Sequence, residues 1–314
     1  MFDSLVVAVN AIFPICLMIG LGYLLKMKKM LSKSSLKEMN KVVFKILIPL
    51  SLMQSMITTD LKEVSDIKFI LFTIIAILAM IVCSMFVVRM VTKDPAKQGV
   101  MVQGLYRTNY VLLGLPICEA LCGAENLGLA SLMVSIVVPF YNFLAVLILQ
   151  HYANKSSSLW KTFVEILKNP MISACLIGVC IRLVGIPYTG FFKATVSKLA
   201  ACGTPVALVV LGGLFEFKSF KKNFKEVAFV VIGKLIVYPA IILAIAIFMF
   251  NIKDVPLVIL LVILAGPVAV SSAPMADIMG LDGDLAGEIV FSTSLACLVT
   301  LFCWIVILKQ LMLI

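Results

Sequence analysis

Apolar runs of about twenty residues recur along the chain, separated by short connections that hold most of its Lys residues. A bilayer core of about 30 Å takes roughly 20 apolar residues per helix. Runs such as Leu5 to Leu25, Ile67 to Met90 and Ile289 to Leu308 therefore predict membrane-spanning helices. Followed to its end, the pattern gives ten spans at approximately 4–25, 36–57, 67–91, 98–122, 127–150, 163–184, 195–215, 226–250, 255–279 and 286–309. No connection exceeds about 15 residues, so there is no room between spans for a soluble catalytic domain. The first run is too long, and Asp3 with no basic residue before it too acidic a flank, for a cleavable signal; a retained helix is expected. Composition strengthens the membrane reading. With 62% hydrophobic residues, 13% charged and a mean hydropathy of +1.15, the chain lies far from the roughly half apolar, quarter charged average of soluble domains.

Charge adds a topology. The formal net charge is +10, which could suggest nucleic acid, but the basic residues sit in connections. About 16 fall on one side of the predicted spans, among them Lys26, Lys33, Lys37, Lys93, Lys97, Lys155 and Lys218 to Lys225; about seven, including Lys62, Lys253 and Lys309, fall on the other. The positive-inside bias then places the basic loops in the cytoplasm and both termini outside a plasma membrane, with no nucleic-acid partner needed. Nine Cys lie in apolar runs without a CxxC pair or a His at zinc spacing, and the single His, His151, falls at a predicted membrane edge. No metal or cofactor is expected. HExxH, GxSxG and Walker patterns are missing from the sequence, so an enzyme is not expected either.

Proline spacing shows a duplication. Pro14 and Pro170 are 156 residues apart, as are Pro49 and Pro205, and Pro116 and Pro274 are 158 apart. The third pair closes two similar stretches, Thr108 to Pro116 in segment four and Gly266 to Pro274 in segment nine. A unit with an odd number of spans returns inverted in the membrane. The expected fold is therefore all-α and integral to the membrane: ten transmembrane helices as two inverted five-helix repeats, residues 1–155 and 156–314. Pro removes a backbone donor and Gly relaxes the chain, so Gly114, Pro116, Gly266, Pro267 and Pro274 predict that helices four and nine are broken and cross. At 1.5 Å per residue, Thr108 and Asn109 lie roughly 15 Å deep, near the midplane. Half-helix N-termini aimed at one point there would suit a carboxylate.

Several side chains carry candidate chemistry. Arg107 lies inside a nearly uncharged span, where a charge costs several kcal/mol and usually serves function. Two readings stand: it pairs with a substrate carboxylate, or with backbone carbonyls or an acid such as Glu288. Ser271 and Ser272 lie within the second break and can donate to a carboxylate, although Ser also permits close helix packing. Lys45 and Lys234 are also deep, and snorkelling explains Lys45 better than Lys234. Asp277, Asp282, Asp284 and Glu288 form an acidic group at the cytoplasmic end of segments nine and ten, with Asp277 and Glu288 as candidates for proton coupling against the alternative of a solvated loop.

The stretch Arg107-Thr108-Asn109-Tyr110-Val111-Leu112-Leu113-Gly114-Leu115-Pro116 resembles the auxin efflux carrier family, which includes plant PIN auxin exporters and bacterial malate and malonate permeases. Weaker matches are Asn40-Lys41 through Ile48-Pro49-Leu50, Asn169-Pro170, Thr204-Pro205-Val206-Ala207-Leu208 with Gly212, and Gly266-Pro267 through Ala276, so the resemblance spans nearly the whole chain. It implies a fold like that of sodium–proton antiporters and bile-acid transporters. Segments one, two, six and seven would form a scaffold, segments three to five and eight to ten a transport domain moving as an elevator, and the scaffold a homodimer contact. By the same resemblance Asn109 would be the polar substrate contact, with Thr108 beside it. Pro267 would be the second break and Val268 a neighbour with an exposed backbone, while Pro49, Leu50 and Met53 would form an apolar wall. The chain departs from the plant pattern at Thr108, where those carriers have Pro, and lacks their long loop after segment five. The expected cargo is thus a small organic anion such as malate or malonate, with an auxin-like aromatic carboxylate as the alternative. A channel, or a sensor that binds a carboxylate without coupled transport, is the competing reading.

Overall fold

A computed structural model describes residues 2–58, 67–110, 115–122, 127–153, 170–215 and 221–314, with no strand among them. The first half comprises α1 (Phe2–Met27), α2 (Lys33–Thr58), α3 (Ile67–Met90), α4 (Pro95–Tyr106), α5 (Leu115–Cys122) and α6 (Leu127–Tyr152). The second comprises α7 (Pro170–Val184), α8 (Gly190–Leu214), α9 (Phe224–Phe250), α10 (Asp254–Ala265), α11 (Ser272–Ile278) and α12 (Gly283–Gln310). By length and composition α2, α3, α8, α9 and the Leu132–Tyr152 part of α6 can each cross a membrane. The two parts of α12, bent by 41° between Cys297 and Val299, make a sixth span if taken together. The protein is a multi-pass membrane protein.

Helix starts follow from local chemistry. Ser32 caps α2 by accepting from the Ser35 amide at 3.0 Å, and Asp282 caps α12 by accepting from Leu285 at 2.9 Å. Asp94 accepts from Ala96 at 2.9 Å while Pro95, whose missing N–H is no loss in a first turn, opens α4. Among the prolines inside helices, two sit beside a widened turn. Pro49 and Pro239 each follow a π turn by two residues, Val43–Leu47 in α2 and Gly233–Val237 in α9. A proline ring clashes with the carbonyl four residues back, and the wider turn relieves the crowding without ending the helix.

α1 lies along α8 and also packs on α12, and α2 lies along both α7 and α8; α4 packs on α3, α6 and α12, while α9 and α10 pack on each other and on α12. Between membrane helices close approach, rather than the hydrophobic effect, supplies the packing energy. At the α1–α8 crossing a Cβ on Gly22 would stand 1.9 Å from the Val209 carbonyl oxygen, and one on Gly212 1.9 Å from that of Ile19. Two glycines thus bring the backbones into contact from both sides. Polar pairs add to the packing: Gln54 donates to Ser197 at 3.1 Å between α2 and α8, and the Ser84 and Tyr238 hydroxyls meet at 2.8 Å between α3 and α9.

The α1–α8 contact yields a stability test. Gly212→Leu should lower the thermal midpoint of the detergent-purified protein by the equivalent of about 2 kcal/mol or more, because overpacking here meets backbone. Gly20→Ala, where an added Cβ meets nothing within 4 Å, should leave it unchanged, with the midpoints read by fluorescence-detected size exclusion after heating.

Candidate functional site

The two expected breaks are present and touch. α4 ends as Arg107 turns extended (φ −79, ψ 129), and α10 ends as Gly266 does the same (φ −69, ψ 159). The Asn109 amide donates to the Pro267 carbonyl at 2.8 Å, joining one break to the other. The Thr108 hydroxyl donates to the Ile263 carbonyl at 2.7 Å in the last turn of α10. Gly266 allows this approach: a Cβ there would lie 2.6 Å from Thr108 Cγ2 and 2.7 Å from the Val262 oxygen. The second break is shorter than the spacing predicts, because helix resumes at Ser272 and Pro274 lies in that helix's first turn, where its missing N–H costs nothing. Pro116 likewise stands in the first turn of α5, while Gly114 falls outside the described residues.

Beside the crossing lies a cavity of about 450 Å³. The breaks and α6 form one wall, with Arg107, Thr108, Asn109, Tyr141, Asn142 and Ser271; α1, α2 and α8 form the other, with Met18, Ile48, Ser51, Leu52, Thr204 and Pro205. Arg107 is 2% exposed. Its guanidinium donates to Asn142 Oδ1 at 2.5 Å, to Ser271 Oγ at 2.7 Å and to Met275 Sδ at 3.4 Å. Every one of these partners is neutral, and among the described residues no carboxylate pairs with Arg107.

A family model described as "Membrane transport protein" matches residues 7–305. The chain belongs to that family, the auxin efflux carriers. An uncharacterized transporter of Methanothermobacter thermautotrophicus is 23% identical over 305 residues, covering 95% of this chain and 98% of that one. Members of the family are transporters rather than enzymes, and this protein is a membrane transporter.

Other expected site residues of the transporter lie apart from the cavity. Pro49, Leu50 and Met53 are not its wall: Ile48, Ser51 and Leu52 face it, while Met53 packs with Ala174 and Val196 in a separate apolar cluster that Leu50 joins. Pro267 and Val268 do not line it, and the Val268 amide is not exposed but donates to Thr293 Oγ1 at 3.2 Å. Ser272 is buried outside the lining, unlike Ser271. The alternative pairing of Arg107 with Glu288 is not formed; Glu288 accepts from Asn223 at 2.9 Å. Asp277 and Glu288 instead border a second cavity of about 240 Å³, with Asp282, Asp284, Lys33 and Lys37, where Asn40 of α2 donates to Asp277 at 3.2 Å. Asn142 and Tyr141 escaped the sequence reading, although an Asn inside an apolar span is itself a signal, since a buried amide in lipid needs a partner.

Thr293 Oγ1 donates to the Ile289 carbonyl at 2.7 Å and accepts from Val268. Thr293→Val leaves that amide buried and unpaired, and should destabilise the transporter by about 1–3 kcal/mol. Thr293→Ser should retain most of the stability, the comparison being made by thermal unfolding in detergent.

Proposed function

We propose that the transporter is a secondary carrier of a small organic anion, a mono- or dicarboxylate such as malate or malonate, with an auxin-like aromatic carboxylate as the alternative cargo. The observation that carries this reading is Arg107: a buried guanidinium on the cavity wall, bound only to neutral acceptors among the described residues. A charge in the membrane interior is costly, and an anion arriving in the cavity offsets it more fully than Asn142 and Ser271 do. A carboxylate that displaces one of them can take two parallel N–H bonds from the guanidinium. Asn109, half-buried with its backbone amide fixed to Pro267, lines the same space.

The motion proposed is an elevator. The cavity lies between the α1, α2, α7, α8 group and the helices that carry the breaks, so movement of one group along the other would transfer the cavity across the membrane. Support for an inverted duplication comes from the order of elements. The six helices of the first half recur in kind in the second, including twelve-residue α4 and α10 immediately before the two breaks. The remaining parts of the proposal are both termini outside a plasma membrane and a homodimer formed through the α1, α2, α7, α8 group.

The test is uptake into liposomes. Purified transporter should show saturable uptake of radiolabelled malate, malonate or an aromatic monocarboxylate that is competed by unlabelled substrate. Arg107→Met should reduce the initial rate at least about 100-fold, since it leaves the anion without its charge partner, and Arg107→Lys should keep part of it because the charge remains without the fork. Asn109→Ala should raise the half-saturation concentration. Uptake that does not saturate would favour a channel, and uptake indifferent to Arg107 would sink the site assignment.

A further inference from the structure

The second buried cation, Lys234, is not explained by cargo binding. It is 0% exposed, stands in the π turn of α9 and does not line the cavity. Ten residues of α9 precede it, so it lies roughly 15 Å along the helix, too deep for its stem to carry the ammonium to water. Lys45, in the corresponding π turn of α2, is exposed. The Lys234 ammonium donates to the carbonyl of Tyr106, the last residue of α4, at 3.2 Å, and to the Thr108 hydroxyl. That hydroxyl has given its own proton to Ile263 at the end of α10, so its lone pair is free to accept. Among the described residues no carboxylate pairs with Lys234. One positive charge is thereby tied to the C-terminal ends of both interrupted helices.

Each helix C-terminus carries roughly half a negative charge. In inverted-repeat transporters the unwound carbonyls and half-helix C-termini at a break are where a coupling sodium ion or proton is held. We infer that Lys234 is a tethered substitute for such a cation: its ammonium neutralises the converging ends of α4 and α10, and the crossing requires no sodium ion. Lys234 is a positioning residue, holding Tyr106 and Thr108 so that Arg107 and Asn109 face the cavity. The part of this inference that concerns coupling rests on the transport reading above; the part that concerns the cation does not.

Two arms test it. Thermal unfolding of wild type and Lys234→Ala is compared in sodium, choline and propylammonium chloride, propylammonium being the fragment the substitution removes. Wild type should unfold at the same temperature in all three; Lys234→Ala should unfold lower and recover about half of the loss in about 100 mM propylammonium, by mass action on the folded state, and none in choline. An unchanged midpoint for Lys234→Ala, or equal recovery in choline, would overturn the inference. If Lys234→Ala does not fold, Lys234→Arg should fold and Lys234→Met should not; equal behaviour of those two overturns it as well. In the second arm wild-type carboxylate uptake should be the same with sodium or choline outside, and stimulation by sodium would refute the substitution. Absence of any carboxylate uptake would sink the transport reading and leave the unfolding arm to decide the role of Lys234.

Discussion

A helix that unwinds inside a bilayer frees amides and carbonyls that water cannot reach, each costing several kcal/mol if left unpaired. In this transporter the two breaks answer that constraint jointly. Asn109 donates to Pro267, Thr108 to Ile263, Thr293 accepts from Val268, and Lys234 donates to Tyr106. Gly266 lets the strands of irregular backbone approach closely enough to do so. Neither break is satisfied alone, so α4 and α10 are bound into one unit.

This mutual pairing changes where positive potential comes from. Half-helix N-termini alone are a weak source here: α11 has seven residues, and the amides of Asn109 and Val268 are already engaged. The charge offered to the cavity is instead a side chain, Arg107, held by neutral partners on the cavity wall. The two buried cations differ in what they touch. Lys234 meets the Tyr106 carbonyl and the Thr108 hydroxyl at the break and is sealed away, whereas Arg107 meets side chains on a cavity wall.

Much of the fold was legible because lipid permits few solutions. Apolar runs marked the helices, and Gly and Pro marked the breaks. The limit of the second break was misread because a proline in a first turn and one in a bend look alike in sequence. Which face of α2 meets the cavity was also misread. Pro49, Leu50 and Met53 sit next to Ile48, Ser51 and Leu52, and the choice depends on helix phase, which the π turn at Val43–Leu47 shifts by adding a residue to one turn. Asn142 was overlooked because a single polar residue in an apolar run announces a need for a partner, not which partner.

The proposed motion makes a demand on the boundary between the helix groups: contacts there must be exchangeable. Hydrogen bonds such as Gln54 to Ser197, Ser84 to Tyr238, Trp304 to Leu235 and Lys97 to Glu226 stay within one of the proposed groups or the other. The cavity wall contributed by α1, α2 and α8 is largely apolar, with Met18, Ile48, Leu52 and Leu208, and apolar contacts can be replaced by equivalent ones after a shift without leaving an unpaired donor. The bond from Asn40 to Asp277 does cross the boundary, but at the rim of the second cavity and with Asp277 exposed, so its loss can be made good by solvent. Strong polar pairing within each group and weak or solvent-replaceable pairing between them is the distribution of interactions under which the proposed sliding would leave the hydrogen bonds between the two breaks intact.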